Sequence, residues 1–187
     1  MELDLALSEI YPLPLDAKEK LKACITEVSY PKGHLLISAH KVEKDVYIVK
    51  EGIVRAYVST EYGQVTFWFG KEGDPVLSMK SYVGDQKGYE DIEVLEHSKF
   101  YKLKTEALKS LYQSDIHIAN WGRKFIEFEL MKTEERLISM QFKTAVQRYS
   151  ELIENYPELL QRIQLGHIAS YLGITQVSLS RIRAEIK

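Results

Sequence analysis

The last 24 residues, Gln164–Lys187, carry the side chains whose types and spacing best fit a chemical task. The small residue Ala169 is followed four positions later by Gly173, and Thr175 comes two positions after that. Two helices that cross steeply need a small side chain at their closest approach, a turn residue that tolerates positive φ, and a cap for the second helix. The spacing therefore predicts two helices joined by a tight turn. Their buried inner faces would be formed by Ile168, Leu172, Ile174, Leu179 and Ile182.

The outward face of the predicted second helix is polar and cationic. Its residues are Gln176, Val177, Ser178, Ser180, Arg181 and Arg183. In the major groove of DNA, glutamine pairs with adenine, arginine pairs with guanine, and an aliphatic side chain meets the thymine methyl group. We therefore expect Gln176, Val177 and Arg181 to read bases. Thr175, Ser178 and Arg183 would then contact the phosphate backbone. The alternative is a surface hairpin of helices whose arginines are only solvated.

Charge is unevenly distributed along the chain. The 187 residues include 25 basic and 27 acidic side chains, a formal net charge of −2, so the molecule as a whole is not basic. From residue 162 onward, Glu185 is the single acidic residue and the local net charge is +3. The basic residues of this segment are Arg162, Arg181, Arg183 and Lys187. Contact with nucleic acid is therefore expected at this end of the chain.

Composition and motifs exclude several other classes of protein. A content of 45% hydrophobic and 28% charged residues is typical of a globular chain. No apolar run approaches the ~18 residues needed to span a membrane, and the acidic N-terminus is unlike a signal peptide. We therefore expect a cytoplasmic protein without a membrane partner. No catalytic motif or nucleotide-binding fingerprint occurs, so we expect no catalytic residues and no enzymatic activity.

Cysteine and histidine usage predicts neither a metal site nor another cofactor. The single cysteine, Cys24, cannot form a disulfide within the chain, and the five histidines show no spacing typical of metal ligands. We expect Cys24 to be a small buried hydrophobic residue. A redox-sensing role for Cys24 is the alternative.

Short runs with β character fill the N-terminal half of the chain. They are His34–Ser38, Val46–Gly52, Ile53–Ser59, Val65–Gly70, Ile92–Glu96 and Lys99–Lys104. Turn signals separate these runs, so an antiparallel barrel or sandwich is predicted over roughly residues 28–104. Upstream, Asp16 and Glu19 match a capping box that would open a short helix. One face of that helix would carry Leu21, Ile25 and Val28.

Helical spacing dominates after residue 105. A helix from about residue 114 to about residue 141 would be roughly 40 Å long. Heptad spacing along its first part relates Ile118, Trp121, Phe125 and Phe128. A second apolar stripe follows at Ile126, Leu130, Leu137 and Met140. Two stripes indicate two burial partners, and we predict that the heptad stripe is a dimer interface. The alternative is one wide stripe that packs only on the chain's own core.

The segment Phe142–Lys187 closely resembles the C-terminal half of Crp/Fnr-type transcription regulators, with FKTAVQRYSELIENYPELL followed by IASYLGIT and LSRIR. The stretches PKGHLLI, YIVKEGIVRAYV and FGKEGD resemble the strands of that family's cyclic-nucleotide-binding-like barrel. The resemblance implies an α+β fold: an N-terminal antiparallel β-barrel or jelly roll, a long dimerisation helix, and a C-terminal helix-turn-helix. It also implies a homodimer on a palindromic site in double-stranded DNA, with RNA polymerase as a further partner.

Two departures from the family pattern stand out. Where relatives that bind cyclic AMP have Gly-Glu and Arg-Ser, this chain has Leu77-Ser78 and Gly88-Tyr89. Without the arginine, the anionic cyclic phosphate would be buried unpaired, so we predict a vestigial effector pocket that does not respond to cyclic AMP. Aromatic residues around the pocket either fill it or form an apolar site for an unidentified effector. The sequence also carries no β-hairpin wing after the second helix, which predicts fewer phosphate contacts.

These observations predict three parts: a barrel domain at residues 1–112, a dimerisation helix at residues 113–141, and a helix-turn-helix domain at residues 142–187. The predicted function is sequence-specific DNA binding in transcription regulation. The rival interpretation is a ligand-sensing or protein-interaction dimer that has lost DNA binding. A steep loss of DNA affinity with added salt would separate the two interpretations.

Overall fold

A computed structural model describes residues 1–186 and contains two four-stranded antiparallel sheets. The strands are β1 (Ile25–Tyr30), β2 (Leu35–Ile37), β3 (Asp45–Glu51), β4 (Val54–Thr60), β5 (Gly63–Gly70), β6 (Pro75–Val76), β7 (Asp91–Val94) and β8 (Ser98–Lys104). One sheet has the order β1-β8-β3-β6 and the other β2-β7-β4-β5. The predicted antiparallel barrel or jelly roll is confirmed.

Helices precede and follow the strands, and a short helix lies between β6 and β7. They are α1 (Leu3–Ile10), α2 (Leu15–Ala23), α3 (Met79–Gly84), α4 (Thr105–Ser114), α5 (Ile116–Phe142), α6 (Ala145–Asn155), α7 (Leu159–Arg162), α8 (Leu165–Tyr171) and α9 (Gln176–Glu185). The long helix α5 matches the predicted one to within two residues at each end. Its N-cap is Asp115, whose carboxylate accepts hydrogen bonds from the backbone N–H groups of His117 and Ile118.

The expected first helix is shorter than the apolar pattern predicts. Helix α2 ends at Ala23, and its N-cap is Pro14 without a side-chain cap hydrogen bond, so the capping box is wrong. Ile25 and Val28 lie in β1 instead, opposite Leu103 and Phe100 of β8. All six residues of β1 pair with β8. This pairing is favoured over a longer α2, which would have added only one apolar stripe.

The barrel interior and the layer beneath α5 form two separate apolar cores. Val49, Val54 and Phe100 are fully buried between the sheets. Beneath α5, helices α1 and α2 pack against the outer side of the β1-β8-β3-β6 sheet, and Cys24 packs at the edge of that second core.

Three of the four residues predicted to form the dimer interface belong to this second core. Ile118, Trp121 and Phe125 are almost completely buried within the chain, and Trp121 Nε1 donates a hydrogen bond to the carbonyl oxygen of Leu7 at 2.9 Å. A partner molecule cannot contact them, so the predicted interface is wrong at these positions. Only Phe128 of that set is exposed. The first half of α5 is covered by α1 and α2, whose packing on α5 no local spacing in the sequence reveals.

A third core joins the C-terminal helices to the barrel. Leu152, Ile168, Leu172 and Leu179 pack together, and Ile53 and Leu95 of the barrel belong to the same cluster. Helices α6–α9 therefore form a unit that packs directly on the barrel.

Candidate nucleic-acid interface

Helices α8 and α9 are joined by a four-residue turn, residues 172–175. Gly173 has φ +69°, the left-handed region that favours glycine. The N–H of Ile174 donates to the carbonyl oxygen of Ala169 at 3.0 Å, and Ala169 is buried between the helices. The Thr175 hydroxyl caps α9 by accepting the N–H of Ser178 at 3.1 Å. The structure thus gives the small residue, the turn glycine and the cap the local geometry that their spacing predicts.

One face of α9 packs inward and the other faces solvent. Leu179 and Ile182 are buried, whereas Val177 is 63% exposed. The other exposed residues of this face are Gln176, Ser180, Arg181 and Arg183, with Ser178 half-buried. The structure therefore brings the predicted DNA-binding residues together on one accessible surface.

The hydroxyl groups on this surface are bound to the helix itself. Ser178 Oγ lies 3.0 Å from Thr175 Oγ1, and Ser180 Oγ donates to the carbonyl oxygen of Gln176 at 3.0 Å. Over residues 1–186, no carboxylate forms an ion pair with Arg181 or Arg183. The guanidinium groups of these two arginines are therefore available to an anionic or hydrogen-bond-accepting partner.

Arg162 does not contribute to this basic surface. Its guanidinium forms ion pairs with Glu72 and Glu96 of the barrel, at 2.8 Å to Glu72 Oε1. Burial alone would raise the pKa of Glu72, but hydrogen bonds from Arg162 and from the N–H of Gly52 lower that pKa to about 2. The local excess of positive charge expected from the sequence is thus reduced, and Lys187, which was also counted in it, lies outside the described residues.

Two arginines that sequence reasoning missed hold the C-terminal end of α8. Arg148 donates to the carbonyl oxygen of Leu172 from Nη2 at 2.9 Å and from Nε at 3.2 Å. Arg136 donates to the carbonyl oxygen of Tyr171, and its guanidinium lies 3.8 Å from the centroid of that ring. Cations at a helix C-terminus satisfy its last carbonyl groups and oppose the helix dipole. Arg148 is 24 residues from Leu172, and Arg136 is 35 residues from Tyr171, so no local sequence pattern predicts these contacts.

Two of the residues predicted to form a vestigial effector pocket, Ser78 and Gly88, pack closely together. Gly88 packs against Ser78 so tightly that an added Cβ would lie 2.6 Å from Ser78 Oγ and 3.1 Å from Glu90 Oε2. Ser78 Oγ is buried and has no hydrogen-bond partner within the described part of the chain. Leu77 is half-buried against the core beneath α5, whereas Tyr89 is exposed and packs on Phe67.

The charge at this position is acidic. Glu90 is 4% exposed, and its carboxylate accepts the N–H of Tyr89 at 2.9 Å. The ammonium group of Lys80 lies over the ring of Tyr89, 5.6 Å from its centroid. The buried carboxylate of Glu90 thus lies beside Gly88 and Ser78.

The second half of α5 exposes apolar side chains. Phe128, Met131, Ile138 and Phe142 are each between 40% and 78% exposed. They are separated by three, seven and four positions, which places them on one stripe. Glu135 occupies the remaining heptad position of the stripe. The stripe begins where the buried segment Ile118–Phe125 ends.

Comparison with known proteins assigns the barrel. The family model for the cyclic nucleotide-binding domain matches residues 27–115, which span β1 to the start of α5. Residues 27–115 are thus similar to cyclic nucleotide-binding domains. No curated protein matches the chain significantly. The match covers the region that the sequence predicted as a barrel of this type, so that resemblance is confirmed.

The similarity to solved structures covers nearly the whole chain, beyond the residues that the family model matches. FixK2 from Bradyrhizobium japonicum is 22% identical, with a TM-score of 0.73 over 87% of this chain and 84% of its own. A Crp/Fnr-family putative transcriptional regulator from Eubacterium rectale is 16% identical, with a TM-score of 0.71 over 93% and 85%. The catabolite activator protein of Thermus thermophilus is 17% identical, with a TM-score of 0.60 over 97% and 86%. The chain therefore has the fold of Crp/Fnr-type regulators.

Among the helices formed by residues 1–186, none combines the length and apolar character needed to cross a membrane. No group of three or more His, Cys, Asp or Glu side chains in the same residues is arranged to bind a metal ion. The exposed face of α9 is thus the surface whose chemistry points most directly to a partner.

Proposed function

We propose that this protein is a homodimeric, sequence-specific DNA-binding regulator of transcription that acts without cyclic AMP. The observation that carries the proposal is the exposed face of α9, where Arg181 and Arg183 lie near the exposed side chain of Gln176 and form no ion pair within residues 1–186. α8 and α9 act as a helix-turn-helix, and α9 enters the major groove. The functional parts are the barrel domain at residues 1–112, the dimerisation helix at residues 113–141 and the DNA-binding domain at residues 142–187.

We assign base recognition to the exposed side chains of α9 whose ends remain accessible to a partner. Gln176 pairs with adenine, Arg181 pairs with guanine, and Val177 contacts a thymine methyl group. Arg183 binds phosphate, together with the capped N-terminus of α9 at Thr175. The hydroxyl groups of Ser178 and Ser180 are engaged within the chain, so they contribute contacts only by exchanging those hydrogen bonds.

Dimerisation is assigned to the exposed stripe of α5. Pairing two copies of α5 along Phe128, Met131, Ile138 and Phe142 buries side chains that otherwise face water. A two-fold axis along this seam gives two copies of α9 that read a palindromic site in successive major grooves. The seam keeps Phe128 of the residues first expected to form it and continues from there towards Phe142.

Independence from cyclic AMP follows from the charge of the pocket. The place of the arginine that would neutralise the cyclic phosphate is taken by Gly88, against which Ser78 and the buried Glu90 pack directly. Transfer of an anion to this site would leave two negative groups close together without a counter-ion. We therefore assign the pocket a packing role in the barrel.

The test is a selection of genomic DNA fragments on the purified protein at near-physiological salt, without effector. Arg181→Ala runs in parallel, and a second wild-type selection contains millimolar cyclic AMP. We expect the wild type to enrich one palindrome, Arg181→Ala to lose preference at one base pair of each half-site, and cyclic AMP to change nothing. Equal, salt-insensitive retention of all fragments would overturn DNA recognition, and enrichment only with cyclic AMP would overturn the assignment of the pocket.

A further inference from the structure

Arg55 lies at the junction between the barrel and the proposed DNA-binding domain. It belongs to β4, where Val54 and Ala56 point into the barrel core. The intervening side chain of Arg55 therefore faces the opposite side of the sheet, and it is only 2% exposed there. An arginine so deeply buried requires partners, and one of them comes from α8.

The guanidinium of Arg55 connects its own strand, β4, to β5, β7 and α8. It forms an ion pair with Glu93 of β7, and its Nη2 donates to Gln64 Oε1 of β5 at 2.6 Å. Its Nη1 lies 2.7 Å from Nδ1 of His167 in α8. Because arginine only donates, Nδ1 of His167 must accept, which requires a neutral imidazole with its proton on Nε2.

A second contact seals the edge of the same sheet. β5 is an edge strand, and the backbone N–H of Thr66 donates to Ser170 Oγ of α8 at 2.9 Å. The same hydroxyl donates to the carbonyl oxygen of Gln64, also at 2.9 Å. Ser170 therefore replaces the hydrogen bonds that a neighbouring strand would supply, which fixes α8 along β5.

The opposite end of α8 is held by Arg136 and Arg148, as described above. Helix α8 is thus held by the barrel at His167 and Ser170, and by α5 and α6 at its C-terminal end. Since α9 packs on α8 through Leu179 and the turn is short, the position of α8 determines the position of α9.

We propose that Arg55 is a positioning residue for DNA binding: from the barrel it holds His167, and with Ser170 it fixes α8, and therefore α9, relative to the dimer axis. The inference rests on the proposed function. Two recognition helices bind one palindrome at once only if they are separated by about 34–36 Å, so a fixed placement avoids an ordering cost on binding. The barrel in this way sets the spacing of half-sites that the dimer accepts.

The test uses the full-length protein with Arg55→Lys, His167→Ala and their combination. Lysine keeps the charge opposite Glu93 but cannot bridge Glu93, Gln64 and His167 together. Alanine at residue 167 favours a helix and leaves the α9 surface unchanged. His167→Gln is the matched control, because its amide oxygen can accept the Arg55 hydrogen bond. Thermal unfolding of each variant checks that the fold is retained.

The first readout is amide hydrogen exchange without DNA in the segments Gly63–Gly70 and Leu165–Tyr171. We expect faster exchange in Arg55→Lys and His167→Ala, no additive effect in the combination, and wild-type protection in His167→Gln. Unchanged protection in both single variants overturns the role of Arg55, whatever happens with DNA.

The second readout is affinity for the selected palindrome, for a single half-site, and for palindromes lengthened or shortened by one base pair. We expect roughly tenfold weaker binding of the palindrome, unchanged binding of the half-site and weaker discrimination between spacings. Tighter binding of the palindrome would overturn positioning. A wild type that selects no DNA would overturn the proposed function and the DNA role of Arg55, whereas wild-type spacing preference in the variants would overturn the role of Arg55 alone.

Discussion

Replacement of Ile138 by aspartate should strongly weaken the proposed dimer without unfolding the chain. Ile138 lies at the centre of the exposed stripe of α5 and is 48% exposed, so about half of its surface remains to be buried by a partner. Full burial of an isoleucine contributes about 1.5–3 kcal/mol, so the interface gains about 1 kcal/mol from each copy. The substitution acts twice in a symmetric dimer, and the loss is therefore about 2 kcal/mol.

That loss corresponds to a roughly 30-fold weaker dimer, and it is a lower bound. Two aspartates that face each other across the two-fold axis add like-charge repulsion, and Glu135 of each copy lies one heptad position away. Ile138→Leu, which preserves volume and apolar character, should change the dimer dissociation constant by only a few-fold.

Sedimentation velocity over a range of protein concentrations measures the effect directly. Val83→Asp is the matched control, because Val83 is 72% exposed on α3, away from α5. We expect Val83→Asp to dimerise as the wild type does. If Ile138→Asp dimerised as strongly as the wild type, or if the wild type remained monomeric at ~100 μM, the assignment of this stripe to a second copy would be refuted.

The other predictions concern α8, α9 and their attachment to the barrel. Arg181→Ala should weaken binding of the selected palindrome by ~1–3 kcal/mol and relax preference at one base pair, as measured by competition binding; an equal loss on random DNA would contradict base reading. Gly173→Ala should lower the free energy of unfolding by about 1–2 kcal/mol because residue 173 has φ +69°, whereas Gly166→Ala in α8 should be neutral or stabilising in the same denaturant titration. Burial and the neighbouring Arg55 guanidinium lower the pKa of His167, so the folded chain resists its protonation. The packing of α8 should therefore be fully stable above pH ~6.5 and lose stability as the pH falls below that value, and thermal unfolding at pH 7.5 and 5.5 should show a smaller difference in His167→Gln than in the wild type.

Features that depend on near neighbours in sequence were predictable. The two helices at the end of the chain follow from Ala169, Gly173 and Thr175 within seven positions, because helix contacts, turns and caps are made over one or two turns. The strands follow from short β-branched and aromatic runs between turn residues. The predicted groove-reading side chains lie on one face of α9 because a helix repeats every 3.6 residues.

Features that depend on contacts between distant residues were decided only by the tertiary structure. β1 is a strand because β8, more than 70 positions later, pairs with it. The first half of α5 is buried because α1 covers it, with Trp121 bonded to Leu7 114 residues away. Heptad spacing indicates that a stripe is apolar but not which element covers it. The dimer interface is therefore proposed at exposed residues closer to Phe142.

The same limit applies to the charges. Arg162 and Arg181 are equivalent in a count along the chain, yet Arg162 is neutralised by Glu72 and Glu96 of the barrel while Arg181 faces solvent. The contact between Arg55 and His167 spans 112 residues and has no sequence signature. Local spacing thus determined which elements form and which faces are apolar or polar. The tertiary structure decided which of those faces remain exposed, because burial and ion pairing are properties of the packed chain.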